Sequence, residues 1–233
     1  MSPALSAPFF EIGPKNLLRR TQLEELAVAA GRAGRAHGIA VVFTVPTAMI
    51  APIVALDSGV LVFAQGMDSE PLGPSMNRVT AEALKDAGAA GVMLNHDADP
   101  LDDDALESAL RRADDVDLAT IVCAGTDAEA RRFAGRHPSA VLFEPPSLIG
   151  ADGSGARDWI APSTRAIHEA APGVLAMHAG GVSTPEVALR IMAAGADATG
   201  STSGILSSAD PSVAAAEFIR SARAGWDAAR AAA

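Results

Sequence analysis

Apolar residues follow two rhythms along this chain. Short, mainly apolar runs fall at residues 8–13, 39–45, 59–65, 90–96, 118–123, 140–144, 174–177 and 196–200. Between them the apolar positions are spaced three and four apart, as with Leu23, Leu26, Ala27, Ala30 and Ala33, the spacing that lines one face of a helix. This spacing predicts helices over 21–37, 80–87, 103–113, 127–135, 163–171 and 211–230. Another starts at Thr184-Pro185-Glu186, where an N-cap, a proline at the first position and an acid stand together. The segment 47–56 is a short apolar connection. Because the strand runs are continuous rather than alternating, they suit a parallel sheet covered on both faces. Strictly alternating β–α units at this length close into a single (β/α)8 barrel domain spanning 1–233. An open doubly wound sheet is the alternative, and the lack of a GxGxxG after the first strand weighs against it.

Composition narrows the function more than the fold. Lys and Arg number 18 against 28 Asp and Glu, a formal charge of −10, which argues against nucleic acid as a partner. An anionic ligand must therefore be met by local donors. The single cysteine, Cys123, excludes an intrachain disulfide and any multi-cysteine metal site. No signal-like leader or membrane-length apolar run is present, so no membrane partner is expected and the protein is expected to be cytoplasmic. No cofactor and no metal are called for. The acids Asp102–Asp104 and Asp114–Asp115 are expected to be solvated helix-end faces, and Cys123 a small core residue.

Candidate chemistry collects at the strand ends, the edge on which parallel α/β proteins build sites. After the first strand comes Gly13-Pro14-Lys15, after the fourth Asn95-His96, and after the sixth Glu144-Pro-Pro-Ser-Leu-Ile149-Gly150. The two prolines can neither continue a helix nor donate to a ladder, so Glu144 stands where a strand gives way to a stiff loop. Gly/Ser-rich loops follow the seventh and eighth strands, with Gly180, Gly181 and Ser183 in one and Thr202 and Ser203 in the other. Backbone N–H groups in such loops can approach and bind an anion. A carboxylate base, an imidazole donor and a fixed cation suit proton abstraction beside a carbonyl, with the phosphate of the substrate as anchor. Of the remaining histidines only His178 is placed to face the site, and it is expected to pack.

These residues carry a specific resemblance. Phe63-Ala-Gln65, Leu94-Asn95-His96, Ile121-Val-Cys123, Glu144-Pro-Pro with Leu148-Ile149-Gly150, Gly181-Val-Ser183-Thr184 and Ser203-Gly204 resemble the triosephosphate isomerase family, in its short archaeal form, over nearly the whole chain. The resemblance implies a TIM barrel and an aldose–ketose isomerase of a small phosphorylated sugar, with glyceraldehyde 3-phosphate and dihydroxyacetone phosphate as the default pair. It implies Glu144 as base, His96 as electrophile and Lys15 as electrostatic stabiliser. It implies phosphate or lid contacts at Gly13, Ile149, Gly150, Gly180, Gly181, Ser183, Thr202 and Ser203. It also implies a homo-oligomer, dimer or tetramer.

The chain departs from the family pattern at several points. Gly13 replaces an asparagine two before the lysine. Asp97-Ala98 replaces Ser-Glu, losing the glutamate that supports the lysine and bringing a second carboxylate toward Glu144, which should raise the pKa of one of them. The loop after residue 65 and the lid at 151–157 also differ. Three alternatives therefore stay open: isomerisation of another short sugar phosphate, a non-catalytic sugar-phosphate-binding barrel, and a Schiff-base aldolase on Lys15.

Overall fold

The computed structural model describes residues 5–148 and 157–231. Eight strands pair in sequence order, each parallel to the next, and the last closes on the first. They are β1 (Phe9–Ile12), β2 (Ala40–Val45), β3 (Leu61–Ala64), β4 (Gly91–Leu94), β5 (Ala119–Ala124), β6 (Ala140–Phe143), β7 (Leu175–His178) and β8 (Ala198–Gly200). The open-sheet alternative is thereby excluded.

Side chains on successive strand residues point to opposite faces, so each strand feeds two cores. Phe9, Val42, Phe63, Met93, Ile121, Leu142, Met177 and Ala198 fill the barrel. Phe10, Ile12, Val41, Phe43, Val92 and Val141 belong to the larger cluster between strands and helices. The continuous apolar runs are the consequence of both faces being dry. Cys123 lies with the interior set and is 8% exposed, a small core residue as expected.

The helices are α1 (Arg20–His37), α2 (Ile50–Val54), α3 (Ala81–Asp86), α4 (Asp103–Asp114), α5 (Asp127–Ala134), α6 (Ile160–Ala170), α7 (Pro185–Ala193), α8 (Ser203–Leu206) and α9 (Pro211–Ala231). Capping explains several starts. Asp102 accepts from Ala105 N before α4, and Thr126 and Glu129 form a reciprocal capping box at α5. Thr184 takes the cap position of α7 with Pro185 behind it, but its side chain closes no cap hydrogen bond. Helix α6 begins at Ile160, ahead of the expected 163, because Pro162 falls in the first turn, where an N–H has no intrahelical partner to lose. The acid at 103 is not simply solvated: it pairs with Arg132 of α5 at 2.5 Å and with Arg136, just past the end of that helix, at 3.1 Å. Helix α9 closes the outer layer against α1 and α7.

Candidate active site

Lys15 and His96 meet at the C-terminal mouth of the barrel. Past β1 the chain turns so tightly that Lys15 adopts a left-handed backbone, φ 52, and its Nζ lies 3.4 Å from His96 Nε2. The imidazole is aimed by its neighbour. Asn95, also left-handed at φ 57, donates from Nδ2 to Cys123 O at 2.9 Å and accepts at Oδ1 from Leu101 N at 2.9 Å. This ties the end of β4 to β5 and to the following loop. His96 Nδ1 accepts from the Ala98 N–H at 3.0 Å, so in the neutral ring the proton resides on Nε2. Burial, helped by the Lys15 charge, holds the imidazole below its ordinary range against the opposing pull of Asp97 and Asp99. At neutral pH the ring is therefore neutral. An ammonium and an Nε2–H, 3.4 Å apart, cannot satisfy one another; both are donors, and an oxygen placed beside them would accept from both.

Glu144 follows β6 and is still tied to the ladder, its N–H donating to Ala124 O at 3.0 Å. The chain then passes through Pro145 into a single 3₁₀ turn, Pro146–Leu148. Burial raises the carboxyl above its usual range; Lys15 opposes this and Asp97 adds to it. The expected effect of the aspartate on Glu144 is thus present in direction. Gly180 makes room for this arrangement. At φ 92, a Cβ there would stand 2.9 Å from Leu148 Cβ and 3.2 Å from Glu144 Cγ. The Ile149 and Gly150 of the proposed lid lie outside the described residues.

The glycine and serine loops converge as the sequence suggests. Gly180 and Gly181 both take positive φ, 92 and 59, and Ser183 is half-buried on the same loop. Ser201 Oγ donates to Val182 O at 2.7 Å, joining the loops after β7 and β8, and Thr202 Oγ1 donates to Gly13 O at 2.8 Å, joining the loop after β8 to that after β1. The Thr202 hydroxyl is thus committed to the loop scaffold. The second of these loops is not irregular throughout, because α8 begins at Ser203.

Two side chains went unnoticed in the sequence. Arg157 donates from Nη2 to Gly180 O at 2.8 Å and to Gly181 O at 3.0 Å, while its Nε and Nη1 are buried without a partner. Burial and the nearby Arg190 depress its pKa. It clamps the loop after β7 with a cation, and its place after a Gly/Ser-rich stretch carried no signal. Glu11 lies inside a strand run that otherwise reads as apolar. It points into the barrel and is 6% exposed, and burial raises its carboxyl to about 7. A charged residue at an inward position of a core strand is the signal that could have found it.

His178 packs, as expected. It is fully buried, with Nε2 2.8 Å from Thr164 Oγ1 and its ring edge-on to Phe143 and Trp159. Burial and His168 push it down to about 3. Burial likewise raises the Cys123 thiol far above its ordinary range, which suits a packed side chain and not a nucleophile.

A carboxylate, a neutral imidazole and an ammonium around the C-terminal mouth of a closed parallel barrel define a class: (β/α)8 isomerases that move a proton beside a carbonyl. The comparisons narrow it. Residues 15–194 match the family profile described as triosephosphate isomerase. The chain is 32% identical over 184 residues to the triosephosphate isomerase of Metallosphaera sedula, covering 78% of this chain and 80% of that one. It is 29% identical over 197 residues to that of Sulfurisphaera tokodaii, covering 84% and 86%. The crystal structure of triosephosphate isomerase from Bartonella henselae superposes with a TM-score of 0.72 at 18% identity, over 93% of this chain and 99% of that chain, which bears on the fold. The chain belongs to the triosephosphate isomerase family.

Proposed function

We propose that the protein interconverts D-glyceraldehyde 3-phosphate and dihydroxyacetone phosphate through an enediolate, without a cofactor. The observation that carries this reading is the convergence of Lys15 and His96 as two donors beside one point that cannot satisfy one another, in a mouth that also holds the proton-hungry carboxylate Glu144. In the forward direction Glu144 takes a proton from the carbon next to the carbonyl. Negative charge develops on the carbonyl oxygen, and the Lys15 ammonium and the His96 Nε2–H are positioned to accept it without reorganisation. The proton of the neighbouring hydroxyl passes to the former carbonyl oxygen, with the neutral His96 as its relay, and Glu144, now protonated, returns its own proton to the adjacent carbon. Triosephosphate isomerases are the standing example of this neutral-imidazole chemistry, so the division of roles is carried over from the family.

The phosphate is held at Gly13, Gly180, Gly181, Ser183, Thr202 and Ser203 through backbone N–H groups, and Arg157 supplies a positive field behind the loop in an otherwise acidic protein. Ile149 and Gly150, outside the described residues, are assigned to lid contacts by the family resemblance alone. Leu72 and Met76, 68% and 90% exposed in the loop after β3, support assembly into a homo-oligomer through that loop, and the compartment is the cytoplasm. No helix among the described residues is long and apolar enough to cross a membrane.

The test is isomerisation of D-glyceraldehyde 3-phosphate by the wild type and by Glu144→Gln. Loss of a positioned general base should cost on the order of 10²–10⁴ in kcat. Equal turnover in the two proteins would sink the assignment of Glu144, and no turnover by the wild type would sink the triose phosphate reading.

A further inference from the structure

Glu11 is a buried carboxyl that the mechanism above does not use. Its Oε1 is shielded from solvent and has no hydrogen-bond partner, an arrangement that native interiors seldom tolerate without a use. Its place is defined by two residues that lack side chains. A Cβ on Gly13 would stand 2.7 Å from Glu11 Oε1, and one on Gly200 would stand 2.9 Å from Oε2. Residues 11 and 13 share the inward face of the first strand and its extension. The carboxyl therefore fills the volume in which a side chain on residue 13, two before Lys15, would begin.

The groups that act on Glu11 are few. Glu144 raises its pKa, and Lys15 and Thr44 lower it; Cys123, in the same interior layer, responds in turn to both carboxylates. The Thr44 hydroxyl faces Glu11 as a hydrogen-bond donor and favours its charged form, but the contact does not reach hydrogen-bond geometry, and both Thr44 Oγ1 and Glu11 Oε1 stay open to a further partner. The carboxyl is thus electrostatically in contact with the base and the cation of the site, but bonded to neither.

We propose that Glu11 is a substrate-binding residue, whose carboxyl, reaching up through the space left open at Gly13 and Gly200, hydrogen-bonds a hydroxyl of the bound triose phosphate. The inference rests on the triose phosphate reading of the site. A phosphate would be repelled by a carboxylate and has its own loops after β7 and β8. A hydroxyl is both donor and acceptor, so it satisfies the carboxyl in either protonation state. The first strand thereby reads the sugar end of the ligand, while the Gly/Ser loops read the phosphate end.

The experiment compares calorimetric affinities for glycerol 3-phosphate, which carries hydroxyls, and for inorganic phosphate, which carries no sugar end. The wild type, Glu11→Leu and Glu11→Gln are measured in parallel with turnover of glyceraldehyde 3-phosphate. We expect Glu11→Leu to weaken glycerol 3-phosphate by about tenfold, the effect of one lost hydrogen bond to a polar site group, and to leave inorganic phosphate unchanged. Glu11→Gln should recover most of the loss. An unchanged ratio of the two affinities in Glu11→Leu overturns the proposal, as does a parallel loss of both ligands, which is the mark of a purely structural residue. Failure of the wild type to isomerise the triose, with the selective loss still seen in Glu11→Leu, would refute the isomerase reading and leave Glu11 as a hydroxyl reader. A wild type that binds glycerol 3-phosphate no better than inorganic phosphate refutes the role of Glu11 directly.

Discussion

Each catalytic candidate is set by one or two immediate neighbours. The Ala98 N–H fixes the tautomer of His96, Asn95 fixes where the ring hangs, and Gly180 leaves the volume that Glu144 and Leu148 share. Asp97 is the neighbour with the clearest measurable signature. It is exposed, yet its charge raises the pKa of Glu144 and of His96 alike. In the proposed mechanism Glu144 must be ionised and His96 neutral for turnover, so both requirements fail as pH falls. Removing a nearby negative charge makes ionised Glu144 easier to form and protonated His96 harder to form. Asp97→Ser should therefore move the acid limb of the kcat/KM profile to lower pH, with the plateau little changed. A limb that stays in place or moves upward would show that Asp97 does not act on the site.

At the level of elements, the strands and their order were legible in the sequence because a strand dry on both faces has no other way to be written. The ends of helices were less so: α6 starts before Pro162 rather than after it, and α8 is one turn in a stretch whose Ser and Gly content reads as loop. Lys15, His96 and Glu144 could be placed on one rim because each follows a strand. Arg157 could not, since what distinguishes it is the backbone of Gly180 and Gly181; Glu11 stands out as a carboxyl at an inward strand position, but the space it fills beside Gly13 and Gly200 does not. Contacts of that kind depend on three-dimensional closure, which no local pattern records.

Helix packing yields a prediction of the same sort. Helix α9 lies close to α7, and a Cβ at Gly225 would come within 2.2 Å of Leu189 O, a backbone atom that cannot step aside. Although alanine is the better helix former, Gly225→Ala should lower stability by about 1–3 kcal/mol, the usual cost of overpacking. A midpoint in urea equal to or above that of the wild type would show that the two helices can separate without penalty.

Over the whole molecule the two ends of the barrel divide their work. At the N-terminal end, Asp197 is buried and its Oδ2 accepts from His168 Nε2 at 2.7 Å and from Ala176 N at 2.8 Å. Thr120 and Ser139 exchange backbone-to-hydroxyl bonds at 3.0 and 3.2 Å between β5 and the start of β6. At the C-terminal end, Glu11 Oε1, Thr44 Oγ1 and two nitrogens of Arg157 are buried and unpaired. Buried unpaired atoms occur at the other end too, Ser58 Oγ before β3 and Arg112 Nε near the end of α4 among them, but those at the C-terminal mouth are the ones that a ligand bound there can complete. The unsatisfied end has a cost in the free protein, and its pH dependence can be read through Glu11. The ordinary value of 4.5 rises to about 7 on folding, so the native state holds a proton that the unfolded chain gives up. The contribution of this group is fully present below 4.5, declines as pH rises, and is lost once pH passes about 7. The difference should reach about 3 kcal/mol between pH 4 and pH 8. Glu11→Gln cannot titrate, so its stability relative to the wild type should rise by that amount across the interval, as followed by chemical denaturation at each pH. A constant offset between the two proteins would mean that Glu11 titrates in the fold as it does in the unfolded chain, and that the cost of its burial is offset by more than Lys15 and Thr44.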